Sequence, residues 1–92
     1  MAIRFARSAR RHRISRAAVL YVIEHSGLRF EQPALAGSGL PSRWVYLGDD
    51  PNGVALEVMA VEQESVDLLV IHAMPLRSRF RGLYEEAAKW RR

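Results

Sequence analysis

Residues 54–73 read VALEVMAVEQESVDLLVIHA and contain two strand patterns separated by a short polar stretch. Residues 54–62 form the strongest strand pattern in the chain, with one set of alternating side chains on each face. The polar residues 63–65 predict a turn, and residues 66–73 predict a second strand that returns beside the first. The segment therefore predicts an antiparallel strand pair.

Two further strands are predicted before this pair. Residues 43–48 (RWVYLG) are rich in aromatic and β-branched side chains, and the strong turn signal DDPNG follows at 49–53. Residues 28–33 (LRFEQP) alternate apolar and polar side chains and end at Pro33. Between them, residues 34–42 (ALAGSGLPS) are typical of a loop.

Helices are predicted at both ends of the chain. Ser15 is a good N-cap for the run RAAVLYVIEHS at 16–26, and Gly27 follows as a stop signal. Residues 77–92 (RSRFRGLYEEAAKWRR) predict a terminal helix that Gly82 weakens. Residues 3–12 are interpreted as a short, mostly basic helix.

These elements predict a small α+β domain over residues 1–92. We expect an N-terminal helix or helix pair, an antiparallel sheet of about four strands and a C-terminal helix, with the helices on one face of the sheet. The chain is long enough for one core and not for two. The predicted core residues are Val19, Val22, Ile23, Leu56, Val58, Leu69, Ile71 and Leu83.

Composition excludes several classes of protein. The 49% hydrophobic and 26% charged residues are ordinary for a globular domain and argue against disorder. The chain has no cysteine, so thiolate catalysis, zinc–thiolate sites and disulfides are excluded. No run approaches the roughly 20 apolar residues that span a bilayer, and no secretory signal is visible. We expect a cytoplasmic protein without membrane contact, although the Arg-rich start also resembles an organellar transit peptide.

Positive charge is concentrated at the two ends. Residues 1–16 contain six arginines and no acid, and residues 76–92 contain five arginines and Lys89 against Glu85 and Glu86. Residues 17–75 contain two arginines and eight acids. If the ends meet in space, they form a basic face suited to a polyanion. Solvated termini that neutralise an acidic middle are the alternative explanation.

The stretch VIHAMPLRSRFR at 70–81 is the best candidate for a catalytic site. Strict alternation places His72 on the same strand face as Leu68 and Val70, close to where the arginines begin. A histidine there is either a hydrogen-bonded core residue or an acid or base at neutral pH. Cleavage of RNA by its own 2′-hydroxyl needs only a base, an acid and cations around the phosphate. No metal cluster or other cofactor is expected.

Three segments carry a resemblance to a known family. GVALEVMAVE at 53–62, LLVIHAMPLRSRF at 68–80 and SARRHRIS at 8–15 resemble small bacterial BrnT-like toxins of the RelE superfamily, over roughly residues 5–85. The resemblance implies a RelE-like fold and a metal-independent ribonuclease toxin of a type II toxin–antitoxin pair. It implies mRNA, free or ribosome-bound, as substrate and an antitoxin protein as inhibitor; a homodimer is compatible with it. Relatives often have histidine where Ser8 stands.

The chemistry and the resemblance give the candidate site residues. The catalytic candidates are His72, Arg77 and His12, and no metal ligand is predicted. The RNA-binding candidates are Arg7, Arg10, Arg11, Arg13, Arg79 and Arg81. Two other functions use the same basic face: a non-catalytic module that binds nucleic acid or the ribosome, and an interaction domain that docks an acidic partner.

Overall fold

The computed structural model describes residues 2–26, 28–64 and 67–90, and in these residues five strands and two α-helices form an α+β fold. This coarse class confirms the prediction. The elements in chain order are β1 (Ile3–Phe5), a 3-10 helix (Arg7–Arg10), α1 (Arg16–His25), β2 (Leu28–Gln32), β3 (Arg43–Asp49), β4 (Ala55–Glu62), β5 (Leu68–Pro75) and α2 (Ser78–Trp90). The predicted stop signal at Gly27 and the first residue of the predicted last strand, Val66, lie outside the described residues.

The sheet is mixed and has the strand order β1-β5-β4-β3-β2. Strands β2 to β5 pair antiparallel in chain order, as expected for the four predicted strands. Strand β1 adds a parallel pairing to β5, with Ile3 opposite Leu68 and Phe5 opposite Val70. The prediction of about four antiparallel strands, with a helix over 3–12, therefore differs from the structure at the N-terminus. A three-residue strand that pairs with a segment far along the chain leaves little local pattern to detect.

The two helices cover opposite faces of the sheet, so the prediction of helices on one face is wrong. Val19 and Val22 of α1 belong to a core with β-strand residues such as Val58. On the other face, Phe80 of α2 packs in a second core with Val45 and neighbouring residues. Both faces of β3 and β4 are apolar, and a sheet with two apolar faces needs a covering element on each side.

Local signals position α1 as the sequence predicts. The side chain of Ser15 accepts a hydrogen bond from the backbone N–H of Ala18 at 3.1 Å, which satisfies one free donor of the first turn. At the other end, Ser26 passes close to β3, where a Cβ added to Gly48 would lie 3.2 Å from the Ser26 Cα. Glycine therefore permits the close approach of the end of α1 to the sheet.

The predicted core is confirmed in its centre and wrong in α2. Val19, Val22, Leu56 and Val58 are buried, whereas Ile23, Leu69 and Ile71 are half-buried. Leu83 is 48% exposed, and Phe80 is buried instead. Phe80 and Tyr84 lie four residues apart and share the helix face toward the sheet. The hydroxyl of Tyr84 also donates a hydrogen bond to Asp49 on β3, which fixes α2 to the sheet.

No helix in the described part of the chain is long and apolar enough to cross a membrane.

The core assignment predicts the effect of shortening a central side chain. Val58→Ala should lower the free energy of unfolding by about 1–3 kcal/mol, because it loses burial and leaves a cavity. Val54→Ala is the matched control, since Val54 precedes the same strand and is largely exposed. Denaturant unfolding at a constant m-value measures both. Equal midpoints for the two variants would contradict the core assignment.

Candidate active site

A β-bulge in β5 decides where His72 points. Met59 of β4 lies opposite His72, whereas the next residue, Ala60, lies opposite Val70, so Ile71 is one extra residue in β5. An extra residue reverses the facing of every residue after it. His72 therefore lies on the α2 side of the sheet with Met59. The prediction that His72 shares a face with Val70 is wrong for this reason.

The 3-10 helix packs against the bulge and satisfies its backbone. The hydroxyl of Ser8 donates a hydrogen bond of 2.7 Å to the carbonyl oxygen of Ile71. The backbone N–H of Ala6 donates to the carbonyl oxygen of Val70 at 2.9 Å. Ser8 therefore has a structural role at the bulge.

The facing of His72 brings it to Glu57, a residue that sequence reasoning did not select. Glu57 lies in the middle of β4, and its side chain has no exposure to solvent. Its Oε2 atom lies 3.0 Å from Nε2 of His72. Oε2 also accepts hydrogen bonds from Nε and Nη2 of Arg77, at 2.9 and 2.6 Å. Oε1 accepts from the backbone N–H of Arg77 at 2.8 Å. The carboxylate therefore holds a strand histidine and the arginine that precedes α2 in one cluster.

The contacts of the cluster determine its charges. Burial works to raise the pKa of Glu57, but hydrogen bonds from Arg77 and His72 outweigh it and hold that pKa below its usual value. Burial lowers the pKa of His72, and the charges of Arg77 and His12 add to this effect, while the Glu57 carboxylate opposes it. The hydrogen bonds to Glu57 raise the pKa of Arg77. At neutral pH the cluster is an ionised carboxylate, a neutral imidazole and a guanidinium.

These charges also determine the tautomer of His72. An ionised carboxylate only accepts hydrogen bonds, so Nε2 of His72 must carry the proton that it shares with Glu57. Nδ1 then keeps its lone pair, and no residue in the described ranges donates a hydrogen bond to it. A carboxylate that fixes one imidazole nitrogen and leaves the other free is the arrangement of a catalytic dyad.

His12 approaches the same imidazole from the edge of the sheet. Its ring centroid lies 6.2 Å from that of His72, with the two planes at 70°. His12 follows the 3-10 helix, and the next residue, Arg13, has a φ of 57°, in the left-handed region that non-glycine residues rarely adopt. The backbone N–H of Arg13 donates to the carbonyl oxygen of Arg10 at 3.2 Å, which closes the turn. The turn brings two of the three predicted catalytic residues close together.

A cleft of about 460 Å³ opens beside the cluster. His72, Arg77 and Arg79 line one side, and the loop between β2 and β3 lines the other. Arg43 also lines the cleft. The guanidinium of Arg79 lies 4.6 Å from the ring centroid of Phe80, a cation–π contact that holds it at the start of α2.

The structure divides the predicted RNA-binding arginines into three groups. Arg79 lines the cleft. Arg81 is exposed on α2 and lies 4.0 Å from Glu85, away from the cleft lining. The remaining candidates are exposed on the segment that carries His12; they are Arg7, Arg10, Arg11 and Arg13. Arg43 was not predicted, although its β-strand position opposite Gln32 brings it to the cleft.

One property of the sequence indicates that Glu57 is buried with a partner. It is the only charged residue between Val54 and Val61, in a strand that is apolar on both faces. A carboxylate inside such a run requires a buried partner. Its partners follow 15 and 20 residues later, which places them within reach only after β5 and α2 have packed.

No group of three or more metal-binding side chains occurs within residues 2–26, 28–64 and 67–90. Comparisons with protein-family models, with curated proteins and with solved structures find no match to this chain. The resemblance to BrnT-like toxins therefore stays a prediction that the quoted motifs carry.

The cluster predicts that removing Arg77 destabilises the fold. Arg77→Ala leaves the buried Glu57 carboxylate without its main counter-charge, and we expect a loss of about 2–4 kcal/mol in the free energy of unfolding. This loss lies toward the low end of the values typical for removing one partner of a buried ion pair, because the Arg77 side chain is 38% exposed and solvent screens its charge. Arg81→Ala, which removes an exposed arginine, should cost under about 0.5 kcal/mol. Equal losses would show that Glu57 does not depend on Arg77.

The lowered pKa of His72 predicts a pH dependence of stability. As the pH falls through about 6.5, unfolded His72 takes up a proton while the folded imidazole resists it. The unfolded state then binds more protons, so the free energy of unfolding falls toward acid pH. His72→Gln removes this contribution, and its stability should change less between about pH 7 and pH 5 than that of the wild type. A wild-type slope in His72→Gln would refute the assignment.

Proposed function

We propose that the protein is a metal-independent endoribonuclease that cleaves mRNA in this cleft. The observation that carries the proposal is the contact between Glu57 and His72, because it holds the proton on Nε2 and leaves Nδ1 of the half-buried imidazole free beside a group of arginines. A neutral imidazole accepts a proton at physiological pH, and arginines stabilise the negative charge of a phosphate in the transition state.

The geometry supports a reaction in which RNA attacks its own phosphate. Nδ1 of His72 takes the proton of a 2′-hydroxyl, and the 2′-oxygen forms a bond to the adjacent phosphorus. The bond from phosphorus to the 5′-oxygen breaks, and an acid gives that oxygen a proton. His12, 6.2 Å from His72 between ring centroids, is our candidate for the acid. The products are a 2′,3′-cyclic phosphate and a 5′-hydroxyl.

Arg77 serves the fold and the reaction with different nitrogens. Nε and Nη2 donate to Glu57, whereas Nη1 makes no hydrogen bond to any described residue. The guanidinium is partly exposed beside His72. We infer that Nη1 contacts a phosphate oxygen and that Arg79 and Arg43 add charge around it.

The biological setting follows from the motif resemblance. We propose a bacterial, cytoplasmic toxin of a type II toxin–antitoxin pair, inhibited by a cognate antitoxin protein. The exposed arginines of the 3-10 helix and of the turn that follows it form a basic segment around His12 that fits either the RNA backbone or an acidic antitoxin.

A non-catalytic nucleic-acid- or ribosome-binding module is the second candidate. One observation favours it: no buried side-chain polar atom of the described residues lacks a hydrogen-bond partner, so the Glu57 cluster is also explained as a satisfied structural group. Both candidates predict binding that weakens with salt, since both use arginine–phosphate contacts. Only the ribonuclease needs the free nitrogen of His72.

Cleavage of a single-stranded RNA by the purified protein separates the two. His72→Gln should lower the rate about 100- to 10,000-fold, which is the usual contribution of a general base. The products of the wild type should end in 2′,3′-cyclic phosphates, and a chelator should not slow their formation. His25→Gln is the matched control and should cleave at the wild-type rate. A folded His72→Gln protein with wild-type activity would remove His72 from the mechanism, and cleavage abolished by chelator would exclude a metal-free reaction.

A further inference from the structure

The cleft lies where α2 leaves one face of the sheet uncovered. A row of side chains crosses this face from β2 to β5 through Phe30, Val45, Met59 and His72. Phe30 and Val45 pack against Phe80 of α2. The next pair toward the open end, Gln32 on β2 and Arg43 on β3, lines the cleft instead.

The two sides of the cleft have different chemistry. The β2–β3 loop contributes apolar residues, among which Leu35 is 86% and Leu40 is 64% exposed. The opposite side carries Arg77 and Arg79 next to His72. Large exposed leucines at the rim of a cleft are typical of a binding surface. Ser38 and Arg43 add polar groups to the β2–β3 part of the lining. Apolar and cationic side chains together match a nucleotide, whose base has a flat apolar face and whose phosphate is an anion.

Gln32 supplies a polar group between these two sides. Its side chain is half-buried and lines the cleft. The described residues offer its amide no hydrogen-bond partner. A glutamine amide has both donors and acceptors and complements the edge of adenine, which presents a donor beside an acceptor.

We propose that this cleft is a nucleobase subsite for single-stranded RNA, in which Gln32 hydrogen-bonds to the edge of an adenine that lies against Leu35 and Leu40. The subsite rests on the proposed ribonuclease function and deepens it, because it assigns the base preference to Gln32. The base would lie next to the phosphate that His72 and Arg77 contact. Unstacked single strands expose base edges in the way this requires, whereas duplexes do not.

Two measurements on the same variants test the subsite. In the first, a random pool of single-stranded RNA is cleaved and the product ends are sequenced. In the second, fluorescence anisotropy measures binding of fully 2′-O-methylated tetranucleotides that differ in one base. These probes lack the attacking hydroxyl, so binding is measured whether or not the protein cleaves RNA. The variants are Gln32→Leu and the matched control Gln63→Leu, which changes the exposed glutamine after β4.

The wild type and Gln63→Leu should prefer adenine in both measurements, and Gln32→Leu should lose this preference about tenfold or more while keeping its melting temperature. A wild type that binds all four probes equally, or a Gln32→Leu protein that keeps the preference, would overturn the subsite. Adenine-selective binding that depends on Gln32, without cleavage, would support the subsite and reject the ribonuclease.

Discussion

The buried carboxylate of Glu57 is the constraint on which the rest of the site depends. An ionised group without solvent contact in the centre of a sheet is costly unless several donors surround it. Glu57 obtains its donors from the guanidinium and backbone N–H of Arg77 and from the imidazole of His72. These donors come from the segment just before α2 and from the far half of β5, so the charge requires both to be in their observed positions.

The β-bulge in β5 turns His72 to the face of the sheet on which Glu57 lies. If β5 paired regularly, without the bulge, Ile71 would lie opposite Met59 and His72 would turn toward α1. Glu57 would then face α2 with one partner fewer. The Ser8 hydroxyl donates a hydrogen bond to the carbonyl oxygen of Ile71, which holds the N-terminal segment against the bulge. The same segment places His12 beside His72. The arrangement of the candidate catalytic residues therefore follows from one irregularity in one strand pairing.

Much of the fold could be predicted from local signals, and the site could be predicted only in part. Strands β4 and β5 follow from alternation and turn residues, and α1 follows from Ser15 and its apolar spacing. The bulge could not be predicted, because a single inserted residue leaves the apolar pattern of β5 intact. Strand β1 depends on a partner at Leu68, far away in sequence. Their residue types and positions mark His72 and Arg77 as candidates in the sequence. Strand alternation alone makes Glu57 an ordinary member of β4, although a charge in a strand that is apolar on both faces indicates a buried partner.

Stability and the proposed activity would share residues in this molecule. Arg77 neutralises Glu57 with one edge of its guanidinium and lines the cleft, so its loss should damage the fold and the proposed chemistry together. His72 is the better residue for separating the two, because it is neutral and half-buried. Two effects define the state of this ring: burial keeps the imidazole neutral, and the contact with Glu57 holds its proton on Nε2.

Nitrogen NMR of the imidazole across a pH titration measures both the tautomer and the protonation of His72. The ring should carry its proton on Nε2 at neutral pH and titrate below the ordinary histidine pKa of about 6.5. Glu57→Gln should lower the titration midpoint further, because the carboxylate opposes the effect of burial on the pKa of His72. A neutral ring protonated on Nδ1, or a midpoint at or above the ordinary value, would contradict this state of His72.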